Sequence, residues 1–373
     1  MLSRMKRDAK IDLLQLFRTT NIGPITCRLM LQRYGSAAKA LAAIPELSRR
    51  GGRALQPADR QRATDELDQL EEMGGQLLCL GSDDYPDLLT HFDDAPPVLS
   101  VLGHPALLQQ KMLAIVGARN ASLNACKMTE KFAAELGMAD FVIVSGMARG
   151  IDRAAHQGGL ASGTVAVLAG GVDVIYPPEN KDIYEKLTQS GCVISEMPLA
   201  TKPAPRLFPV RNRIIASLAK GCLVMEAAER SGSLITAREA LGRGAEVMAI
   251  PGSPMDPRAK RCNSLISQGT AHLVQTADEI LTILQENSGY EPDRPLSLFT
   301  SVSEAGPQDD SEVEKARKCL LENLSHDPIS VDELIRWCHV SAMSMAAALL
   351  ELELAGRVQR HHGGRVSLII DFE

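Results

Sequence analysis

Apolar positions along the chain follow three different rhythms. From about Ile11 to Met73 they recur at helical spacing, with Leu13, Leu14, Leu16 and Phe17 as one set and Leu29, Met30 and Tyr34 as another. That spacing predicts helices. From about Gln76 to Glu286 the pattern shortens to runs rich in Val, Ile and Leu: Met112–Val116, Phe141–Val144, Val165–Leu168, Cys192–Ser195, Cys222–Glu226 and Glu246–Ile250. Runs of this kind suit strands buried on both faces, and their alternation with helical stretches predicts a parallel α/β sheet. Ligands of such sheets bind at the carboxyl ends of the strands. Asn287–Ser311 is rich in Pro, Ser, Gly and acid, lacks periodicity and predicts a linker. After it, Val313–Leu324, Val331–Cys338 and Ala342–Ala355 predict three helices, and Arg357–Gln359 and Val366–Ile370 two strands, the pattern of a winged helix. The expected organisation is a helical domain over 1–75, a Rossmann-like core over 76–286, a linker over 287–311 and a winged helix over 312–373.

Charge changes this picture more than composition does. The net charge of −6 argues against a nucleic-acid binder until it is divided along the chain, because Met1–Arg62 holds thirteen Lys or Arg against four Asp or Glu. A basic head on an acidic body still attracts phosphates locally, since screening confines the field to roughly 8–10 Å. No run of about 18 apolar residues appears, so no membrane span is expected, nor a signal segment after the basic start. The eight cysteines are scattered without a C-x-x-C pair. That spacing argues against a zinc site and a disulfide framework and suits a reducing cytoplasm. No metal or cofactor is expected.

The candidate chemistry lies where the short runs end. Gly117-Ala118-Arg119 follows the first strand. The glycine permits a sharp turn, the next helix offers free N–H groups, and Arg119 adds a guanidinium fork for phosphate. Neither a G-x-G-x-x-G fingerprint nor a P-loop lysine is present. Ser145-Gly146-Met147-Ala148-Arg149-Gly150-Ile151-Asp152 makes a second strand-to-helix turn, with His156 behind it, and Gly170-Gly171 a third. Asp152 suits a cap or a partner for Arg149, and a structural reading of Asp152 and His156 outweighs a catalytic one, because no second base or metal ligand is spaced to join them. In Phe208-Pro209-Val210-Arg211-Asn212-Arg213, Pro209 argues against a helix before it, and two arginines at a helix start oppose the dipole unless an anion sits between them. Arg213 is expected to pair with an acid such as Glu226. Ser231-Gly232-Ser233 places hydroxyls and bare backbone at a further helix start. Asn21-Ile22-Gly23-Pro24-Ile25 in the head is similar to a helix-hairpin-helix loop and equally suits a helical cap with a solvated basic face.

Taken together, Gly117–Arg119, V-S-G-M-A-R-G-I-D at Val144–Asp152, A-A-H at 154–156, F-P-V-R-N-R-I-I at 208–215, E-A-A-E-R-S-G-S-L-I-T at 226–236 and I-P-G-S at 250–253 resemble the DNA-processing protein A (DprA/Smf) family in family order. The resemblance implies an extended Rossmann fold that binds single-stranded DNA and dimerises through its core. It also implies a partnership with RecA, which is loaded onto DNA coated by single-strand-binding protein during natural transformation. Carried over by position, the family's phosphate pocket falls on Gly117, Ala118, Arg119, Ser145, Gly146, Arg211, Asn212 and the Ser231–Ser233 turn. Arg149, Gly150, Gly170 and Gly171 join it from the strand ends read above. Ala118 replaces the usual serine, Ala125 and Ala169 replace glycines, and Pro178 and Glu179 stand where some members carry a basic residue.

Two rival functions fit parts of the pattern. A nucleotide-hydrolysing enzyme of the lysine-decarboxylase-like Rossmann group would use a loop placed like Ser231–Glu239, but its doubled glycine is missing. A double-strand reader would use the third helix of the winged helix. That helix carries no Lys or Arg and would turn Glu351 and Glu353 toward phosphates. The tail therefore suits a protein contact, with Arg357, Arg360 and Arg365 as its basic edge.

Overall fold

The computed structural model describes residues 5–228, 232–286, 310–361 and 363–369. Most of the expected linker and Ser231 lie outside the described residues. The described chain forms two compact units, one of residues 66–286 and one joining 5–65 with 310–369.

In chain order, α1 (Arg7–Arg18), α2 (Pro24–Tyr34) and α3 (Ala37–Arg50) come first, and α4 (Arg60–Glu72) leads into the core. The core begins with β1 (Gln76–Cys79), α5 (Asp87–Thr90) and β2 (Val98–Gly103). It continues through β3 (Met112–Val116), α6 (Leu123–Met138), β4 (Val142–Ser145), α7 (Ile151–Gly159), β5 (Thr164–Val167), α8 (Lys181–Ser190) and β6 (Cys192–Ser195). It closes with α9 (Leu207–Leu218), β7 (Gly221–Val224), α10 (Ser233–Gly242), β8 (Glu246–Ala249), α11 (Lys260–Ser267), β9 (His272–Leu273) and α12 (Ala277–Glu286). These strands make one nine-stranded sheet in the order β1-β2-β6-β5-β4-β3-β7-β8-β9. All six expected runs are strands of it, and from β6 to β9 the pairing is parallel. The edge differs from expectation: β1 and β2 pair antiparallel with each other, and β2 pairs antiparallel with β6.

Alternation along each strand explains the two helical layers. Met112, Ala114 and Val116 of β3 face Ile214, Ile215 and Leu218 of α9 and Leu234 and Ala237 of α10. Leu113 and Ile115 face Phe132 and Leu136 of α6, Ile151 of α7 and Ile280 of α12. Both sets are sealed from water, each large side chain contributing about 1.5–3 kcal/mol on burial. The chain moves from β3 outward to β6, then returns to β7 on the other side of β3, so the crevice at the strand ends opens beside β3. Inside the layer of α7, His156 is fully buried, with Nδ1 2.8 Å from the Thr164 hydroxyl. Burial pushes its pKa down to about 3.

In the other unit, α13 (Asp310–Asn323), β10 (Ile329–Ser330), α14 (Val331–Cys338), α15 (Ala342–Leu354), β11 (Val358–His361) and β12 (Arg365–Leu368) form the winged helix. It has one short strand more than expected, and α13 begins inside the segment read as linker. The cysteine reading is also corrected: Cys319 of α13 and Cys338 of α14 form a disulfide across a sequence separation of 19. A spacing scan misses such a pair because only the packing of the two helices brings it together.

The third helix of the wing does not face outward. α15 packs on α3, and Gly51 comes so close that a Cβ there would lie 2.1 Å from the Glu351 carbonyl oxygen. Glu351 and Glu353, which a double-strand reader would turn toward phosphates, are buried. Glu351 is 2.9 Å from Arg317. Glu353 accepts a 3.0 Å hydrogen bond from the Thr26 hydroxyl and pairs with Arg360, which is thereby withdrawn from the basic edge. Asn21 of the hairpin-like turn donates its amide to Leu354 O at 3.2 Å. The turn is thereby packed against the winged helix.

Two outcomes follow from this packing. Gly51→Val forces backbone apart at the α3–α15 contact and should destabilise this unit by about 1–3 kcal/mol, the usual cost of overpacking. Gly23→Ala, in open space, should cost much less, and urea unfolding of both variants makes the comparison. The second outcome concerns acid. Because the folded pKa of His156 lies below its ordinary 6.5, its contribution is intact above pH 6.5 and is lost as pH falls toward 3. At pH 5 this one group should have cost about 2 kcal/mol. Urea unfolding of His156→Gln at pH 7 and pH 5 should show a drop smaller by about that amount.

Candidate nucleic-acid interface

The crevice beside β3 is walled by the turns that end β3, β4 and β5. Gly117 is required where β3 ends, because a Cβ there would lie 2.6 Å from Ile151 on α7. Gly150 has φ of 73° and would place a Cβ 2.4 Å from Ala118 O. Its neighbour Ile151 donates its N–H to that same carbonyl at 3.3 Å. The two turns are thus clamped together, and Arg119 is left exposed at the mouth. Its guanidinium lies 4.9 Å from the centroid of the Phe208 ring, within cation–π range. Tyr176 also stands beside Phe208, with ring centroids 6.1 Å apart.

Arg211 behaves differently from Arg119. It is only 6% exposed, donates through Nη1 to Gly146 O and Val167 O, and donates through Nε to Asn212 Oδ1 at 3.1 Å. Burial pushes its pKa down to about 10 against the opposing pull of Asp152. Asp152 does not orient Arg149. Its carboxylate accepts the Ala148 N–H at 3.2 Å, and burial pushes its pKa up while Arg211 pulls it down. Part of the second turn's backbone is therefore spent on an internal carboxylate. Arg149 is exposed at the rim, 3.9 Å from Glu179.

Arg213 pairs with an acid as expected, but the acid is Glu196 and not Glu226. It also donates to Asp94 O, while Glu226 accepts the N–H and hydroxyl of Ser122 at 2.9 and 2.7 Å. Glu226 thus anchors the start of α6, where a carboxylate is favoured by the helix dipole. Pro209 also sits within the first turn of α9, which begins at Leu207. Proline is tolerated there because its missing N–H has no helical partner.

Two connected lobes result. The smaller, about 290 Å³, is lined by Gly146, Arg149 and Gly170 together with Tyr176, Pro178 and Glu179. The larger, about 720 Å³, is lined by Gly117, Ala118, Arg211 and Asn212 together with Gly232 and Ser233. Arg119 and Phe208 line both. Three expected residues stand behind the walls. The Ser145 hydroxyl is buried and donates to Ile115 O at 2.6 Å. Gly150 shapes the clamp, and Gly171 donates its N–H to Thr201 O at 3.0 Å. Ser231 lies outside the described residues. Arg258, which sequence reasoning did not single out, lines the larger lobe and is 2.8 Å from Asp256. Its only signal was its place five residues after the I-P-G-S turn. Glu239, on which the hydrolase reading leans, is 3.2 Å from Arg243, itself 2.6 Å from Asp94. Among the described residues no group of three or more His, Cys, Asp or Glu side chains could hold a metal ion, and no described helix is long and apolar enough to cross a membrane.

Comparison with known proteins agrees over most of the chain. The DNA recombination-mediator protein A family matches residues 76–285, the DprA winged helix domain 304–364 and the DprA-like N-terminal HHH domain 7–68. Protein Smf of Synechocystis is 31% identical over 378 residues, covering 92% of this chain and 95% of that one. Protein Smf of Escherichia coli strain K12 is 38% identical over 302 residues, covering 80% and 79%. The crystal structure of DprA from Streptococcus pneumoniae superposes with a TM-score of 0.64 at 33% identity, covering 75% of this chain and 98% of that one. A DprA structure from Helicobacter pylori, reported for its single-stranded DNA binding mode, gives 0.52 at 26% identity, covering 57% and 97%. With a matching family core over most of the α/β unit and relatives that span nearly the full length, this chain belongs to the DNA recombination-mediator protein A (DprA/Smf) family.

Proposed function

We propose that the crevice holds the sugar–phosphate backbone of single-stranded DNA, with unpaired bases against Phe208 and Tyr176. The observation that carries this reading is Arg119, exposed at the junction of both lobes with its guanidinium over the Phe208 ring. It combines a phosphate fork with an aromatic face at one point. A base within a duplex has its faces covered by its neighbours, so a ring platform of this kind serves an unpaired strand. Contacts to phosphate leave sequence preference weak. The single-strand binding reported for the Helicobacter pylori relative supports the same assignment here.

The function is best read as binding and delivery without turnover. Asp152 is spent on backbone beneath the crevice and His156 is fully buried, and Glu239 is held by Arg243. None of these is placed to act on a bound strand. On this reading the chain protects incoming DNA, pairs as a homodimer through its α/β unit, and hands the strand to RecA recombinase.

Arg119→Ala should weaken single-strand binding by about 1–3 kcal/mol, the range for losing a charge-assisted contact. The loss should be equal for different sequences, and the salt slope should fall by about 1. Anisotropy titrations with labelled oligonucleotides at several salt concentrations test this, and unchanged affinity in a folded variant removes the assignment. RecA delivery is tested separately by RecA-dependent ATP hydrolysis on DNA coated with single-strand-binding protein. The rate should rise when this protein is added, and Arg119→Ala should lose most of the gain. No rise, with DNA binding intact, leaves a binder without a loading role.

A further inference from the structure

The eight cysteines divide into two populations. Cys27, Cys192, Cys222 and Cys262 are fully buried, and burial pushes their thiols up to about 12. Cys79 is buried in β1, and Cys126 is half-buried with its thiol pushed up by the same cause. Such thiols are inert, since the thiolate is the reactive form. Cys319 and Cys338 differ in place and state: they lie in the winged helix, their Cα atoms are 6.0 Å apart, and they are bonded. Cys319 is only half-buried, whereas Cys338 is 5% exposed.

The surroundings favour exchange at this pair. Lys315, one turn before Cys319 on α13, reaches across to donate to His339 O at 3.2 Å, immediately after Cys338. Asn323 donates its side-chain amide to Cys319 Sγ at 3.7 Å. A cation at the junction of the two helices and a donor on the sulfur favour the thiolate. The bond also has something to hold. It ties the last turn of α14, which ends on His339 at φ of 50°, to α13, whose Arg317 bonds the buried Glu351 of α15.

We propose that Cys319 and Cys338 form a reversible thiol–disulfide site in the winged helix, exchanged by low-molecular-weight disulfides, with Cys319 as the attacking thiol and Cys338 as the resolving one. The Cys319 thiolate attacks one sulfur of R–S–S–R, forming a mixed disulfide and expelling R–S⁻, which takes up the proton released from Cys319. The Cys338 thiolate then attacks the Cys319 sulfur and expels the second R–S⁻, which takes up the proton from Cys338. The balance is two protein thiols and one R–S–S–R giving one protein disulfide and two R–SH, and excess R–SH reverses it. Closing the bond pins α14 to α13. Opening it frees the end of α14 while the rest of the chain keeps its fold.

The test uses the full chain equilibrated in buffers of graded reduced-to-oxidised glutathione ratio, then alkylated and unfolded for mass analysis and peptide mapping. Between the reducing and oxidising ends, two of the eight cysteines should lose their alkyl label, and they should be Cys319 and Cys338. Trp337, the only tryptophan and 70% exposed beside Cys338, should change its fluorescence over the same range, because a disulfide quenches a neighbouring indole. Cys338→Ser should trap glutathione on Cys319 as a mixed disulfide, and Cys319→Ser should trap none on Cys338. The proposal is overturned if the pair stays reduced at the oxidising end. It is equally overturned if the bond resists excess reductant in the folded chain, for then it is a permanent staple, or if Cys338 rather than Cys319 captures glutathione.

Discussion

The carbonyl ends of β4 and β5 run out at the crevice, and the buried guanidinium of Arg211 is what satisfies them. Its Nη1 donates to Gly146 O and Val167 O, one from each turn. A buried carbonyl without a donor is costly, and so is a buried charge without a counter-charge. Asp152 supplies the second requirement from the first turn of α7. The rest of the site follows from this arrangement. Gly146 must be glycine because a Cβ would lie 2.2 Å from the Arg211 guanidinium. Arg211 cannot leave its carbonyls to meet a ligand without exposing them, so the outward-facing work passes to Arg119.

The arginines thus divide by depth, and depth decides their roles. Arg211 and Arg213 are buried and Arg243 partly so, and all three are bonded to backbone or to carboxylates, where they hold turns and helices in register. Arg119 and Arg149 stand at the surface of the crevice. Removing an inner arginine leaves a buried partner stranded and costs stability. Removing an outer one costs only what it binds. The same sequence segment, Arg211-Asn212-Arg213, contains two inner arginines, of which Arg211 looked like a ligand donor because it stands near a helix start.

The second unit shows the same economy of exposed surface. The hairpin-like turn of the head and the third helix of the winged helix are the two elements that elsewhere meet DNA. Here each covers the other through Asn21 and Leu354, Thr26 and Glu353, and Gly51 and Glu351. A third helix without Lys or Arg and with two buried glutamates is explained once its partner is α3. Buried ion pairs of this kind are weak sources of stability and good determinants of register, which fits a contact between segments far apart in the chain.

The sequence by itself determined the strands, the order of layers and the place of the crevice, because hydrophobic periodicity is local and strand ends are punctuated by small residues. All six apolar runs became strands, and Gly117, Ala118, Arg119, Gly146, Arg149, Gly170, Arg211, Asn212, Gly232 and Ser233 came together along one crevice. Only the tertiary structure decided which of them face outward. Ser145 turned its hydroxyl inward to Ile115, Gly171 bonded beneath the wall, and Arg213 chose Glu196 over Glu226. It also decided the antiparallel edge, the joining of head to tail and the Cys319–Cys338 bond. Each of these depends on a partner many residues away, and a residue's own neighbours in sequence carry no information about which distant carbonyl, carboxylate or sulfur will reach it first.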